Sequence, residues 1–365
     1  MKNIALIGSC GSIGRQVLRV VKNHPDKLKI VALVTNSPSE EFLRQVAEFR
    51  PVHFATASLD REWALAAAEL DCADVIFNAA SGFAGLEYSL RAVRAGKTLA
   101  LANKETLVCG SDIILQLNST RSCKILPVDS EHSAIWQCLN FDCNRPVRRL
   151  IITASGGAFR GFTPEQLKEV TPEQALNHPT WKMGKKITVD SATLMNKGYE
   201  VIEAHALYGT PYSKIDTVIQ PQSIVHSMVE FEDGAILAQM SYPTMELPIQ
   251  IALTYPERYS CELAPMDFTK AFFLGFEPLD RKNYPLFDLA LRCGEEGGTL
   301  PCALNAADEV AVNAFLNKKL TYTGIFAVVE GVISATVREK SESFGQLVEV
   351  DKKARELANK IILAI

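Results

Sequence analysis

Two short segments of the chain concentrate side chains that can bind a cation and an anion. In the first, Asp129 and Glu131 are separated by a single residue. In the second, Asn196 and Lys197 closely precede Glu200. Three carboxylates make an oxygen-rich site for a hard divalent cation, and an amide beside an ammonium suits a phosphate. Together the segments predict a metal ion next to a phosphate group.

Each segment also has an ordinary structural interpretation. Asp129 and Glu131 can serve as caps near a helix start, and for this pair in isolation capping is the stronger interpretation. Lys197 and Glu200 can form a surface ion pair. The segment 190–193 predicts a helix start, with the second group of polar residues on one face of that helix. A surface pair does not explain the neighbouring amide and hydroxyl, so the two segments together favour the ligand-binding interpretation.

A stretch rich in glycine and proline, residues 155–184, lies between these segments. A connection this long is either a functional lid or a disordered segment. Ser155 and the glycines after it offer a hydroxyl and backbone amides that suit an anion. At the other end stand His178 and Trp181. The histidine could be structural and the tryptophan could be core, but an amphipathic tryptophan in such a segment suits a lid over a ligand.

The N-terminus contains the spacing G-x-x-G-x-x-G, formed by Gly8, Gly11 and Gly14 between a predicted strand and a predicted helix. Such a turn brings the backbone close to a dinucleotide pyrophosphate, although it can also be an ordinary glycine-rich turn. In dinucleotide-binding domains the side chains after the second strand distinguish NAD from NADP. Here Asn36 and Ser37 provide neither an acidic nor a basic side chain. The missing acid favours NADP over NAD.

A further polar group, Asn103, Lys104 and Glu105, follows a predicted strand at the carboxyl edge of the sheet. Open α/β sheets bind ligands at this edge, so these side chains can face both nicotinamide and substrate. A plain polar loop with Glu105 starting a helix explains this segment equally well.

Composition sets outer bounds on function. A net charge of −4 gives no electrostatic footprint for nucleic acid. Nine cysteines without C-x-x-C spacing indicate reduced thiols, which favours a cytoplasmic protein. The first fourteen residues predict a buried strand and a turn rather than a signal peptide, and no apolar run is long enough to span a bilayer.

The elements that must position these residues alternate along the first third of the chain. Continuous apolar runs predict parallel strands that are covered on both faces, and hence a doubly wound, Rossmann-like α/β domain. The strands are expected at 4–7, 30–34, 75–77 and 98–101, and the helices at 16–23, 40–49, 62–70 and 86–95.

Beyond this domain the pattern changes to α+β, with a hairpin predicted at Asp233-Gly234. A proline-rich linker and four helices follow, which predict a small C-terminal four-helix bundle. The expected divisions are a dinucleotide domain at 1–127, a catalytic domain at 128–254 with a flexible lid at 155–184, a linker at 255–284 and the bundle at 285–365.

Several specific motifs lie along almost the whole chain. They are GSxGSIG at 8–14, LANKE at 101–105, PVDSEH at 127–132, SGG at 155–157, HPTW at 178–181, KITVDSATLMNKG at 186–198, QPQSIVHSMV at 220–229 and ALNAADEVAVNAFL at 303–316. VDSEH and SATLMNKG are highly specific in combination. With these motifs the chain closely resembles, almost end to end, a known family, the 1-deoxy-D-xylulose 5-phosphate reductoisomerases.

The resemblance implies a homodimeric enzyme of the non-mevalonate isoprenoid pathway. It would rearrange and reduce 1-deoxy-D-xylulose 5-phosphate to 2-C-methyl-D-erythritol 4-phosphate with NADPH and Mg²⁺ or Mn²⁺. The implied metal ligands are Asp129, Glu131 and Glu200. The implied substrate contacts are Lys104, Ser130, Glu131, Ser155, His178, Ser191, Asn196, Lys197 and Glu200, with Lys104, Glu131, His178 and Trp181 as catalytic residues. The cofactor residues would be Gly8, Cys10, Gly11, Ser12, Ile13, Asn36, Ser37, Asn103, Glu105 and Gly184.

Two positions depart from the family pattern, and two other functions compete with the one implied. Cys10 stands where the family usually has threonine, and 35–38 replaces the usual glycine, basic residue and asparagine. Both departures bear on the preference for NADPH over NADH.

The alternative functions are another two-domain NADP-dependent oxidoreductase, which would not need three carboxylates, and a nucleotide-sensing Rossmann protein, which would need a basic or partner-binding module.

Overall fold

The computed structural model describes residues 1–365, which form two compact units. The segment Thr244–Ala264, expected to be partly catalytic domain and partly linker, groups with the N-terminal residues. None of the helices combines the length and hydrophobicity needed to cross a bilayer. The first unit contains Met1–Thr106, Ile114–Ser133 and Thr244–Ala264, and the second contains Leu107–Ile113, Ala134–Pro243 and Pro265–Ile365.

A six-stranded parallel sheet forms the centre of the first unit, in the order β3-β2-β1-β4-β5-β6. The predicted doubly wound fold is therefore confirmed. The β3 strand was not predicted, because it is short, lies at the sheet edge and leaves Phe54 exposed. The strands are β1 Lys2–Ile7, β2 Leu28–Thr35, β3 His53–Thr56, β4 Val75–Asn78, β5 Thr98–Leu101 and β6 Ile125–Pro127.

Helices alternate with these strands, and the four predicted ones are present. A fifth helix was not predicted, and Gly110 interrupts its regular backbone with φ −131° and ψ 18°. The helices are α1 Ser12–Asn23, α2 Glu40–Phe49, α3 Arg61–Ala66, α4 Gly85–Arg94 and α5 Glu105–Ser119.

The middle of the chain supplies five more helices and corrects one prediction. The segment 190–193 does not start a helix. Asp190 lies in the last turns of one helix, and Leu194, with φ 57°, separates it from the next. The left-handed residue redirects the chain, so the polar group at 196–200 opens a new helix. These helices are α6 Ser130–Cys138, α7 Pro164–Leu167, α8 Pro172–Ala175, α9 Lys185–Thr193 and α10 Met195–Tyr208.

A mixed five-stranded sheet forms part of the second unit, in the order β10-β9-β7-β8-β11. The predicted hairpin is confirmed, since Gly234 has φ +86° and its N–H donates to the carbonyl of Phe231 at 3.0 Å. The strands are β7 Val147–Ala154, β8 Ile215–Ile219, β9 Val225–Phe231, β10 Ile236–Met240 and β11 Glu277–Pro278.

The C-terminal region contains the four predicted helices, each longer than its apolar pattern indicated. One of them, α13, packs against both α14 and α15. An additional helix, α11, was not predicted, because it is buried continuously from Pro248 to Thr254 and so lacks an amphipathic period. The helices are α11 Glu246–Thr254, α12 Pro285–Glu296, α13 Leu300–Leu316, α14 Tyr322–Ala335 and α15 Phe344–Ala364.

Candidate active site

The glycine turn after β1 has the geometry of a phosphate cradle. Gly8 has φ +84°, and a Cβ there would lie 2.4 Å from the carbonyl oxygen of Ala79. Any other residue would therefore clash with the backbone of the neighbouring strand's loop. Gly11 is the N-cap of α1 and makes no side-chain cap. The N-terminal amides of α1 are thus presented without a competing side chain, which fits a dinucleotide pyrophosphate.

Cys10, in the same turn, contacts α2 and its N-cap. Its Sγ lies 3.6 Å from Oε1 of Gln45 and 3.9 Å from Oγ of Ser39. After β2, Asn36 and Ser37 are exposed, and Asn36 Nδ2 donates to Ser37 Oγ at 3.3 Å.

Asn103 and Glu105 shape the loop after β4. The Asn103 amide donates to the carbonyls of Ala80 and Gly82, both at 3.0 Å, and accepts from Thr106. Glu105 Oε1 accepts from the Gly82 N–H at 3.2 Å. Because the amide of Asn103 is only 1% exposed, its role in this structure is to hold the loop. A direct contact of its side chain with cofactor stays a prediction.

The acidic segment after β6 lies beside the residue that follows β5. Lys104 Nζ is 2.7 Å from Oδ2 of Asp129, and both side chains are largely buried. Ser130 donates its hydroxyl to Oε2 of Glu131 at 2.6 Å. The parallel neighbours β5 and β6 end at the same edge of the sheet, and this explains why Lys104 and Asp129 lie close together. The first unit thus holds a buried ammonium, two carboxylates and a hydroxyl together.

In the second unit, His178 joins two serines that are far apart in sequence. Its Nε2 lies 3.0 Å from Ser155 Oγ and 3.1 Å from Ser191 Oγ. Its Nδ1 accepts from the backbone N–H groups of Thr180 and Trp181 at 3.2 and 3.0 Å. Three of the predicted substrate contacts, Ser155, His178 and Ser191, therefore share one hydrogen-bonded cluster.

These bonds determine where the proton of His178 resides. An Nδ1 that accepts two N–H groups carries no hydrogen, so Nε2–H is the donor of the neutral ring. Burial also lowers the pKa of His178, which favours this neutral form. Since Ser155 and Ser191 accept from Nε2–H, their own hydroxyl protons are available to donate to an anion.

A close backbone approach holds Ser155 beside Ser191. Gly157 has φ +69°, and a Cβ there would lie 2.5 Å from the carbonyl oxygen of Ser191. Phe159 anchors the same turn, since it is buried and its ring meets that of Tyr322 edge-on at 5.0 Å. The start of the predicted lid is therefore packed into the second unit.

Glu200 lies at the centre of a buried cluster on α10. Its two carboxylate oxygens accept from Asn196 Nδ2 and from Lys197 Nζ. Glu200 is 1% exposed and Lys197 is 4% exposed. The alternative of a surface ion pair is therefore wrong, because both charges are inside the protein.

The far end of the predicted lid carries Trp181 and Gly184. Trp181 is half-buried, and its ring centroid lies 6.0 Å from that of His226. Gly184 is exposed and is the N-cap of α9, where its carbonyl accepts from Thr188. Trp181 therefore joins the serine–histidine cluster through its backbone N–H, while its ring lies beside His226.

One polar cluster of the second unit escaped the sequence interpretation. Lys186 Nζ lies 2.6 Å from both Asp190 Oδ2 and Asp308 Oδ2. Tyr199 also donates to Asp308 at 3.3 Å, and Asp308 is 0% exposed. The available signal was that Asp308 lies within the motif at 303–316. Nothing in the sequence spacing indicated that it contacts Lys186.

Comparisons with known proteins cover the whole chain. A model described as 1-deoxy-D-xylulose 5-phosphate reductoisomerase matches residues 4–66 and 54–111. Models of the C-terminal domains of the same enzyme match 125–208 and 240–357. A 1-deoxy-D-xylulose 5-phosphate reductoisomerase of Bacteroides fragilis is 43% identical over 380 residues, which covers 99% of this chain and 98% of the relative. The chain belongs to the 1-deoxy-D-xylulose 5-phosphate reductoisomerase family.

Other members of the reductoisomerase family agree. The enzyme of Pelotomaculum thermopropionicum is 45% identical, over 99% of both chains. The reductoisomerase of Zymomonas mobilis in complex with NADPH has a TM-score of 0.91 at 35% identity, over 100% of both chains. A reductoisomerase solved with NADPH, fosmidomycin and magnesium has a TM-score of 0.92 at 34% identity, over 99% of this chain and 98% of that one.

Proposed function

We propose that the chain converts 1-deoxy-D-xylulose 5-phosphate to 2-C-methyl-D-erythritol 4-phosphate, with NADPH and a divalent cation, in the non-mevalonate route to isoprenoids. The observation that carries this proposal is family membership along the entire chain. The glycine turn, the buried Lys104–Asp129 pair and the His178 cluster supply groups suited to the cofactor, the reacting carbons and the phosphate.

The cation ligands in this proposal are Asp129, Glu131 and Glu200. Their chemistry fits Mg²⁺ or Mn²⁺, which prefer carboxylate oxygens and retain open positions for substrate. When bound, the cation polarises the substrate carbonyl and acidifies its neighbouring hydroxyl, while NADPH supplies the hydride.

The phosphate end of the substrate is assigned to Ser155, Ser191, Asn196 and Lys197. Each serine hydroxyl that accepts from Nε2–H of His178 keeps its own proton, which it can donate to a phosphate oxygen. Lys197 adds a positive charge that is buried rather than solvated, which strengthens its attraction for a phosphate. Binding energy from this remote group can hold the carbon skeleton in place while it rearranges.

Near the reacting carbons, Lys104 and Ser130 act as donors. The ammonium of Lys104 is fixed by Asp129 at 2.7 Å and can stabilise negative charge that develops on a substrate oxygen. The hydroxyl of Ser130, oriented by Glu131, can contact a substrate hydroxyl. In this proposal Trp181, carried by the lid segment 155–184, closes over the bound substrate and excludes water.

A spectrophotometric assay tests the proposal. NADPH absorbance should fall when 1-deoxy-D-xylulose 5-phosphate is added with Mg²⁺, and the product should be the branched polyol phosphate. Adding EDTA should stop the reaction, because the ketone is then no longer polarised. Undiminished turnover in EDTA would instead favour a simple metal-free dehydrogenase.

We also infer that the chain forms a homodimer through the β10 edge of the mixed sheet. The β10 strand ends the sheet order and leaves Ile236 and Leu237 about half exposed. An apolar edge strand pairs readily with another strand, and the second copy is the partner that the family resemblance implies.

The substitution Leu237→Lys tests this inference. It should convert a dimer to a monomer, as measured by light scattering after size exclusion. A wild-type monomer would contradict the inference.

A further inference from the structure

The end of β2 lies against the glycine turn, so the residues after it meet the adenosine ribose of a bound dinucleotide. The N–H groups of Gly8 and Ser9 both donate to the carbonyl of Val34, at 2.8 and 2.9 Å. In dinucleotide-binding sheets an acid at this place bonds the ribose hydroxyls of NAD, and an arginine accommodates the 2′-phosphate of NADP. Here Asn36 and Ser37 hold that place, exposed and bonded to each other.

The charges around this position do not favour a 2′-phosphate. No lysine or arginine occurs from residue 30 to residue 43, whereas Glu40 and Glu41 open α2. The first cation on α1, Arg15, donates to both carboxylate oxygens of Glu41 at 2.5 and 2.9 Å. Arg44 lies one turn further along α2 than Glu40. The loop therefore offers neutral donors beside an acidic helix start.

We propose that the chain discriminates little between NADPH and NADH, and that Asn36 and Ser37 set this relaxed selectivity. Their amide and hydroxyl can donate to phosphate oxygens and can equally bond ribose hydroxyls. Strong selection of a phosphate dianion requires a cation, above all a bidentate arginine. The inference rests on the proposed reductoisomerase function, since that function brings the dinucleotide to this turn.

The test measures binding and turnover separately on the full chain with Mg²⁺. Dissociation constants for NADPH and NADH come from the fluorescence of the reduced nicotinamide, and kcat/KM comes from the assay with 1-deoxy-D-xylulose 5-phosphate. Both ratios between the two dinucleotides should lie within about tenfold, which is about 1.4 kcal/mol. Asn36→Arg should tighten NADPH by about tenfold or more and leave NADH nearly unchanged.

A matched control adds the same charge elsewhere. Val52 is 72% exposed and precedes β3, at the opposite edge of the sheet from the carboxyl ends. Val52→Arg should leave the ratio of the two dissociation constants unchanged. The gain in Asn36→Arg should also shrink at high salt, because an exposed charge pair is screened.

The outcomes separate this inference from the proposed function. A preference for NADPH above about a hundredfold in both binding and turnover overturns the inference while the function stands. Loss of that preference in Arg44→Gln would identify the cation responsible. If both dinucleotides bind with similar constants but neither is oxidised when substrate is added, the proposed function fails and the relaxed binding stands.

Discussion

At the scale of single residues, the protonation of His178 decides how Ser155 and Ser191, both proposed phosphate contacts, present their hydroxyl groups. Two backbone N–H groups fix Nδ1 as an acceptor, which leaves Nε2–H to donate to the two serines. A protonated ring would set Nδ1–H against those backbone donors. The neutral form is thus required by the loop that carries Trp181, as well as by burial.

This arrangement predicts a pH-dependent stability. Burial lowers the pKa of His178 in the folded chain below the ordinary value of about 6.5. At pH values between these two pKa values, the unfolded chain binds a proton at this residue and the folded chain does not. Stability should therefore decline as pH falls through this window. His178→Asn keeps an acceptor for the backbone N–H groups and should reduce the slope in urea unfolding at several pH values.

His53 provides a comparison, because burial lowers its pKa in the same direction and it stays present in His178→Asn. The slope should consequently shrink without vanishing. A nuclear magnetic resonance titration that places the pKa of His178 at or above its ordinary value would contradict this prediction.

A second residue-scale prediction concerns Glu200. In Glu200→Gln the neutral amide is a poor ligand for a hard cation, so kcat should fall by about a hundredfold or more and Mn²⁺ affinity should weaken. Glu230→Gln is the matched control, since Glu230 is a similarly buried carboxylate that pairs with Arg149 on β7. It should lose stability without losing Mn²⁺ affinity. Near-normal turnover of Glu200→Gln at saturating Mg²⁺ would remove Glu200 from the ligand set.

At the scale of elements, the turn after β7 must approach the end of α9 closely. Gly157→Ala adds a Cβ at φ +69° and 2.5 Å from the Ser191 carbonyl, so the turn must move away from Ser191. We expect KM for the sugar phosphate to rise and the melting temperature to fall. Gly161→Ala is the control, because it has φ +83° but open space around the new methyl, and should cost about 1–2 kcal/mol with normal KM. Equal effects of the two substitutions would exclude the close approach as the cause.

Elements with regular periods were predictable, and those whose form depends on tertiary packing were not. The apolar strands of the parallel sheet and the Asp-Gly hairpin followed from local pattern alone. The kink at Gly110 and the uniformly buried α11 hide the helical period. The break at Leu194 was missed because nothing in a leucine signals a left-handed backbone.

The site shows the same division between chemistry and geometry. Motifs named candidate binding residues, including His178 and Glu200, because residue type fixes what a side chain can bind. They did not reveal that Asn103 uses its amide to hold a loop, or that Asp308 meets Lys186 across more than a hundred residues of sequence. Such partners are set by packing between distant elements, which spacing does not encode.

At the scale of the whole molecule, the C-terminal helices contact the segment that carries Ser191, one of the proposed phosphate contacts. Asp308 on α13 holds Lys186, which also holds Asp190, the residue before Ser191. Burial and the nearby Asp308 carboxylate raise the pKa of Tyr199, so its hydroxyl stays a donor to that carboxylate. Lys186 is the ammonium between two buried acids, and its removal would leave them facing each other.

This network predicts energetic coupling between α9 and α13. Asp308→Asn keeps the shape but removes one charge, and should cost about 1–3 kcal/mol in urea unfolding, together with a higher KM for the sugar phosphate. Lys186→Met should cost a similar amount. Both substitutions break the same contact. The double variant should therefore lose less free energy of unfolding than the two single variants lose together, by at least about 0.5 kcal/mol. If the losses in free energy of unfolding are strictly additive and KM is unchanged in Asp308→Asn, then α13 only packs against α9 and does not position Ser191.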